Sequence, residues 1–264
     1  MAVEQQPEPE IVYRPVGRDR IAVARIELNR PNKGNALTIP MIRRLESLAA
    51  EIESDRSVRA VVIRGRGRFF CTGGDIEAWG ALSPQEMARD WILPGVAVLA
   101  RIAALPQPVI AVISGHALGG GLELALAADL RIAIRSAKLG IPEVGLGMIS
   151  GWGGLRRLAE TIGVARARQM ALLGSPITAA QALEWGLVNA LAEDEADLER
   201  QLEGWLERIS GNAPAATALT KGILATMHQD LRHHHAAAAA EAVASGESQE
   251  GVRAFLEKRK PVWL

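Results

Sequence analysis

Short runs of β-branched residues alternate with stretches of helical spacing along the first half of the chain. Four apolar runs are typical of buried strands, at 21–28, 59–64, 108–113 and 130–134. Helical spacing begins at Thr38, which stands where it can cap a helix, and returns over 84–105 and 122–128. Because a parallel strand needs a crossover that returns the chain, this alternation predicts an α/β core built on a parallel sheet.

Beyond residue 154 the pattern becomes mainly helical. Only 187–191 has the character of a strand, and the histidines at 233–235 fit a solvated helix better than a metal site, because consecutive helical residues point in different directions. No long linker divides the chain, so we expect a flexible leader over 1–10, an α/β core over 11–195 and a helical region over 196–264. The predicted helices cover 154–173, 178–185, 196–209, 213–231 and 235–255.

Charge and composition argue against several classes of protein. Thirty basic residues balance thirty acidic ones in a chain of 264, so no basic field is available to gather nucleic acid. No uncharged apolar run reaches the roughly 18 residues of a membrane span, and the N-terminus lacks the features of a secretory signal. The single cysteine, Cys71, cannot form an internal disulfide. These features predict a cytoplasmic protein without nucleic-acid or membrane partners.

Two glycine-rich turns, at 69–76 and 115–124, each follow a predicted strand. Glycines let the backbone approach a ligand, and a helix N-terminus adds unpaired N–H groups. If the N–H groups of Gly74 and Gly120 converge, they form an oxyanion hole; the competing interpretation is two tight strand-to-helix turns. The spacing matches neither a P-loop, nor a dinucleotide fingerprint, nor a serine nucleophile elbow.

Two glutamates stand in apolar surroundings close to these turns. Glu123 lies three residues beyond Gly120 in a mostly apolar helix, and Glu143 lies in a loop dense in glycine and proline. In one apolar pocket their proton affinities would separate, as a general acid and base require. For Glu143, an exposed loop acid is the competing interpretation. Asp75 and His116 fit structural hydrogen-bonding roles better than catalysis.

These residues, in this order, resemble the enoyl-CoA hydratase/isomerase superfamily, whose fold is known as the crotonase fold. The resemblance covers roughly residues 20 to 261 and is specific because many weak motifs occur in family order. It implies a spiral of repeated ββα units with a helical C-terminal region that packs in trimers or pairs of trimers. The matching segments are 29–37, 70–75, 116–129, 142–147, 153–158 and 255–261.

The same resemblance implies a site and a reaction. Gly74 and Gly120 would supply the oxyanion-hole amides, and Glu123 and Glu143 the acid and base for reversible hydration of a 2-enoyl-CoA. No metal and no cofactor are expected, since coenzyme A is part of the acyl-CoA substrate. A double-bond isomerase that uses one glutamate, and a non-catalytic acyl-CoA-binding protein, are the alternatives. The residues expected to contact the substrate are Gly73, Asp75, Ile76 and Trp152.

Coenzyme A itself would lie along the loops at 29–37 and 73–77, with Lys258 or Lys260 contacting a phosphate. The chain departs from the family pattern at 149–154, where the family often has Ile-Pro-Gly-x-Gly-Gly. Ser150 and the bulky Trp152 stand in this loop. Trp152 is expected to shorten or reshape the acyl pocket, which leaves the identity of the acyl group open.

Overall fold

The described residues of the computed structural model are 10–16, 22–225 and 247–263. They form ten strands, eleven α-helices, a π-helical turn at Met87–Ile92 and 3-10 turns at Pro31–Lys33 and Glu143–Leu146. The strands are β1 (Ile11–Val16), β2 (Ala22–Leu28), β3 (Val58–Gly65), β4 (Phe69–Cys71), β5 (Val109–Ile113), β6 (His116–Leu118), β7 (Leu130–Ile134), β8 (Lys138–Gly140), β9 (Ile177–Thr178) and β10 (Ala190–Ala192). The helices are α1 (Ile39–Ser54), α2 (Ile76–Trp79), α3 (Pro84–Glu86), α4 (Leu93–Ala104), α5 (Gly120–Leu126), α6 (Gly154–Ile162), α7 (Val164–Leu173), α8 (Ala179–Glu184), α9 (Glu195–Ser210), α10 (Pro214–Ala225) and α11 (Glu247–Leu256).

The strands belong to two sheets. The larger sheet has the order β1-β2-β3-β5-β7-β10, in which β1 runs antiparallel to β2 and all other neighbours are parallel. The smaller sheet has the order β4-β6-β8-β9, with only β9 antiparallel to its neighbour. The four predicted strands are confirmed as β2, β3, β5 and β7, and their parallel pairing is confirmed with them.

From β3 to β8, successive strands alternate between the two sheets. β3, β5 and β7 lie in the larger sheet, and each is followed at once by β4, β6 or β8 in the smaller one. Helices then return the chain to the larger sheet. The result is a series of ββα units, as the resemblance implied.

Both faces of the larger sheet are buried. Alternate residues of a strand point to opposite sides, so neighbouring residues of one strand belong to different cores. Val61 and Ile63 belong to the main core, whereas Ala60 and Val62 belong to a second core beneath α9. The helix predicted after Thr38 is confirmed as α1, and the Thr38 hydroxyl accepts from the Met41 N–H at 3.3 Å. No helix in the described ranges is long and apolar enough to cross a membrane.

Several boundaries differ from the sequence prediction. The strand predicted at 187–191 forms at Ala190–Ala192, and the helix predicted over 154–173 is divided at Gly163, whose φ of +80° lies outside the helical region. β4, β6 and β8 lie in stretches without a predicted strand, because three residues are too few to show a period. The leader before Glu10, the histidines at 233–235 and the adjoining parts of two predicted helices lie outside the described residues.

Candidate active site

The candidate site lies where the three parallel strands of the smaller sheet end. Parallel neighbours have their carboxyl ends at the same edge of a sheet, so the residues that follow β4, β6 and β8 come together. These are Gly73 and Gly74, then Gly119 and Gly120, then the turn that begins at Glu143. All of them line one cavity with an empty volume of about 600 Å³, and Glu123 lines it too.

The backbone N–H groups of Gly74 and Gly120 are free to meet a ligand. The Leu37 N–H donates to Gly73 O and the Asp75 N–H donates to Leu37 O, both at 2.8 Å, so the intervening Gly74 N–H points away from residue 37. Gly120 is the first residue of α5, where an N–H has no partner within the helix. Neither amide donates to an acceptor in the described part of the chain.

The two turns that carry these amides are in contact. A Cβ atom built on Gly73 would lie 3.3 Å from the Gly120 nitrogen and 3.2 Å from Leu118 O. Gly73 has a φ of +106°, which a residue with a side chain rarely adopts. Glycine is therefore required here both by the backbone conformation and by the close approach of the second turn.

Glu123 is almost fully buried, with 2% of its surface exposed. Its Oε1 atom accepts from the Trp152 N–H at 2.9 Å and from the Gly154 N–H at 2.7 Å. Burial raises the pKa of Glu123, while the nearby Ser150 hydroxyl, these two backbone donors and the Arg157 guanidinium act against the rise. The carboxyl group is thus held in one orientation by groups that favour its ionised form.

Glu143 reaches the same cavity from the opposite turn. A Cβ on Gly119 would lie 2.8 Å from Glu143 Oε1, so this carboxyl group rests directly on the second glycine turn. Its Oε2 atom is buried and has no hydrogen-bond partner among the described residues. Burial raises the pKa of Glu143 to about 7, and the neighbouring Glu123 adds to the rise. The interpretation of Glu143 as an exposed loop acid is therefore wrong.

The two carboxyl groups differ in what surrounds them. Glu123 receives hydrogen bonds from neutral donors and lies near a guanidinium, and all of these groups lower its pKa. For Glu143, the rise in pKa is opposed only by a hydrogen bond to its own backbone. Burial raises the pKa of both groups, but the donors around Glu123 limit its rise, so of the two Glu143 holds its proton more tightly. Such a pair can accept a proton at one side of a ligand and donate one at the other.

The other predicted residues divide into two groups. Ile76 and Trp152 line the cavity, the first at its exposed rim and the second buried in its wall. Asp75 is not among the lining residues; it caps α2 through the Glu77 N–H at 3.1 Å and pairs with Arg30 at 2.9 Å. His116 accepts from the Lys138 N–H at 3.1 Å, which is the structural role that the sequence favoured.

The loops expected to carry coenzyme A also meet. The Thr72 N–H donates to Gly34 O at 3.0 Å, and Lys33 Nζ lies 3.2 Å from the Glu77 carboxylate. Lys258 and Lys260 are exposed. The first two loops thus form one continuous rim beside the cavity.

Sequence reasoning missed several residues of the site. Ile92 lines the cavity from the π-helical turn, which has no residue pattern of its own, although such turns are frequent at functional sites. Trp91, which the sequence indicated only as a core or pocket-wall residue, lines the cavity from the same turn. Arg157 lies near Glu123 and donates to Trp152 O at 3.3 Å. Ser150 Oγ is buried near the Glu123 carboxyl group and opposes the rise in the pKa of that group. Its place in the loop was noted from the sequence, but its proximity to Glu123 was not.

Comparisons with known proteins agree with this architecture. A model of the family described as enoyl-CoA hydratase/isomerase matches residues 18–264. A Bacillus subtilis (strain 168) protein named "Probable enoyl-CoA hydratase" is 37% identical over 243 residues, which cover 90% of this chain and 94% of that protein. A Beauveria bassiana protein named mevalonyl-coenzyme A hydratase is 34% identical over 258 residues, covering 90% of each chain.

Solved structures agree as well. The crystal structure of an enoyl-CoA hydratase from Bacillus anthracis superposes with a TM-score of 0.90 at 33% identity, covering 97% of this chain and 99% of that one. This similarity confirms the predicted α/β fold class.

Proposed function

The chain belongs to the enoyl-CoA hydratase/isomerase family, and from that premise we propose that it is a hydratase, which adds water reversibly to a 2-enoyl-CoA thioester. The observation that carries the proposal is the shared cavity, in which two unpaired backbone N–H groups and two carboxyl groups of different proton affinity face the same space. Hydration of a conjugated thioester needs these two kinds of group together.

In the proposed reaction, the thioester oxygen accepts hydrogen bonds from the Gly74 and Gly120 amides. Negative charge develops on this oxygen as water attacks C3, and fixed donors stabilise that charge without reorganising. Glu123 accepts a proton from the attacking water, and Glu143 donates a proton to C2. The hydroxyl group is added at C3 and hydrogen at C2, which leaves Glu123 protonated and Glu143 ionised. Exchange of a proton with solvent at each carboxyl group restores the pair, and the reverse sequence eliminates water.

The division of roles between the glutamates follows from their surroundings. Burial raises the pKa of Glu123, but backbone N–H groups and Arg157 favour its charged form, which suits a base. Glu143 holds its proton more tightly, which suits an acid near neutral pH. The buried, unpartnered Oε2 atom of Glu143 is a natural acceptor for a water molecule in the cavity.

The proposed reaction uses no metal or redox group. Coenzyme A is part of the substrate and not a separate cofactor. In the described part of the chain, no three His, Cys, Asp or Glu side chains are grouped to hold a metal ion. We further propose a cytoplasmic enzyme that assembles as a trimer or a dimer of trimers, with the α/β core over 11–195 and a helical region over 196–264.

The test is conversion of an enoyl-CoA panel in heavy-oxygen water, followed by mass spectrometry. A hydratase places the heavy oxygen in the product. Glu123→Gln and Glu143→Gln should each lower kcat by about 100-fold or more, because each removes a proton-transfer group. Glu160→Gln is the matched control, since Glu160 lies exposed on α6 and pairs with Arg156.

Other outcomes would support the alternatives. A double-bond isomerase would convert the enoyl-CoA without taking up heavy oxygen and without a change of mass. Its activity would be lost mainly when one of the two glutamates is replaced. Tight binding of acyl-CoA without turnover of any thioester would identify a non-catalytic acyl-CoA-binding protein. Either result would overturn the hydratase proposal.

A further inference from the structure

Two tryptophans form one wall of the cavity. Trp91 comes from the π-helical turn and Trp152 from the loop before α6, and their exposed fractions are only 5% and 3%. Their ring centroids are 5.1 Å apart, with the ring planes inclined by 47°. The pair therefore brings together two segments that have sixty residues between them in the sequence.

The indole of Trp152 is fixed from several sides. Its Nε1 donates to Trp91 O at 3.2 Å, and its backbone N–H donates to Glu123 at 2.9 Å. Gly95 of α4 packs against the ring so closely that a Cβ there would lie 2.1 Å from Nε1. Because these contacts come from separate elements, moving the ring aside would break a hydrogen bond and disturb close packing.

The same two rings touch the two glycines that carry the free amides. A Cβ on Gly74 would lie 2.4 Å from Trp91 Cζ2, and a Cβ on Gly120 would lie 2.6 Å from Trp152 Cζ3. An acyl group whose carbonyl oxygen is held by these amides therefore begins beside the indoles. Both rings also line the cavity, so they bound the space into which the acyl chain extends from the thioester carbonyl.

We propose that the Trp91–Trp152 pair closes the acyl pocket and makes the enzyme selective for short acyl-CoA thioesters of about crotonyl size, with Trp152 as the specificity-determining residue. This inference rests on the proposed function, which supplies the position of the thioester carbonyl. Relatives at similar identity carry names with different acyl groups, so family membership does not decide this question. The rigid indoles limit the length of the acyl group, because a close-packed wall leaves no space for added methylene groups.

The first measurement is kcat/KM of the wild-type protein for crotonyl-CoA and for trans-2-decenoyl-CoA. We expect crotonyl-CoA to be preferred by about 100-fold or more, since a single misfitting methylene group is worth about 10-fold to 200-fold. Calorimetric binding of the unreactive butyryl-CoA and decanoyl-CoA should show the same preference. Because these are properties of the wild-type protein, they do not depend on whether any variant folds.

The second measurement uses Trp152→Leu, which removes the ring but keeps the backbone N–H that holds Glu123. We expect the preference for crotonyl-CoA over decenoyl-CoA to fall by about 10-fold or more, because the vacated volume admits further methylene groups. Trp205→Leu is the matched control. Trp205 packs on α9 in the second core, away from the cavity, so that variant should keep the wild-type preference.

Equal efficiency of the wild-type protein with both enoyl thioesters would overturn the inference. So would a Trp152→Leu variant that loses activity equally for both chain lengths, because the ring would then be only structural. If neither enoyl-CoA is hydrated, the proposed function fails, and the binding data still decide the pocket. Tighter binding of butyryl-CoA than of decanoyl-CoA would support the closed pocket, and equal binding of the two would overturn it.

Discussion

Glu143 is the less buried of the two carboxyl groups in the cavity, yet its pKa is the one raised to about 7. Burial alone would favour the reverse, because Glu123 is buried more deeply. The difference comes from hydrogen-bond donors: Glu123 receives two from the backbone, whereas Glu143 has one buried oxygen without any partner among the described residues. Donors, and not depth, therefore decide which of the two carboxyl groups has the more strongly raised pKa.

The raised pKa of Glu143 makes this side chain a cost to stability above neutral pH. Its folded pKa of about 7 exceeds the ordinary glutamate value of 4.5, so the folded state binds the extra proton between these two values. Stability from this group therefore falls as pH rises from 4.5 to 7. Glu143→Gln should match wild type near pH 4 and be more stable by up to about 2 kcal/mol at pH 8, allowing for solvent screening. Thermal unfolding at fixed protein concentration measures the difference.

Glu86 provides a control of opposite sign. Its carboxylate accepts from the Ser83 hydroxyl and backbone N–H, which lowers its pKa. Its contribution is therefore present above the unfolded pKa and lost as pH falls through the folded pKa. Glu86→Gln should be less stable than wild type at pH 8, with the deficit shrinking on acidification. A Glu143→Gln variant that behaved in the same way would contradict the argument for Glu143.

At the scale of single elements, α5 is the helix on which the site depends. It carries the Gly120 amide at its N-terminus and Glu123 in its first turn. The carbonyl groups at its other end are capped by the buried Arg131, whose Nη1 donates to Ala128 O at 2.6 Å and to Ala125 O at 3.4 Å. Desolvation lowers the pKa of Arg131 to about 10, so this guanidinium remains charged near neutral pH.

Replacing Arg131 should loosen α5 and weaken the fold. Arg131→Met leaves the carbonyls of residues 128 and 187 without this donor, whereas Ala125 O keeps the Ala128 N–H at 3.2 Å; buried unsatisfied groups cost about 1 to 3 kcal/mol each. We expect a loss of about 3 kcal/mol in the free energy of unfolding, partly offset by removal of a buried charge. Denaturant unfolding measures it. Arg135→Met, just beyond the same strand and paired with exposed Glu193, should leave the free energy of unfolding nearly unchanged, because exposed ion pairs contribute little to stability; equal effects would contradict the capping role.

The elements that could be predicted from sequence are the long, periodic ones. α1 and the strands of the larger sheet have enough residues to show spacing, and Thr38 marked a helix start. β4, β6 and β8 have three residues each, and their pairing depends on contacts distant in sequence. The sequence indicated Trp91 and Trp152 as core or pocket-wall residues, but the π-helical turn that carries Trp91 has no sequence signature, so the contact between the two rings could not be predicted.

At the scale of the whole molecule, the site is assembled from successive ββα units. Gly74 follows β4, Gly120 follows β6 and Glu143 follows β8, so each unit contributes one part. Residue chemistry alone proposed the glycine pair and the glutamate pair but left tight turns and an exposed acid as alternatives. Only the sheet topology, which the family resemblance implied, brings the three segments to one edge.

A ligand that bridges all three units should therefore stabilise the entire fold and not one loop. Butyryl-CoA at about 100 times its Kd should raise the free energy of unfolding by about 2.7 kcal/mol, because it binds only the folded state. Hydrogen exchange should slow together at 72–77, 119–123 and 142–154, the segments that surround the cavity. Coenzyme A without an acyl group is the control and should protect these segments less. Protection by butyryl-CoA confined to 72–77 would mean that the acyl group does not reach the glutamates, and it would contradict a site shared by the three units.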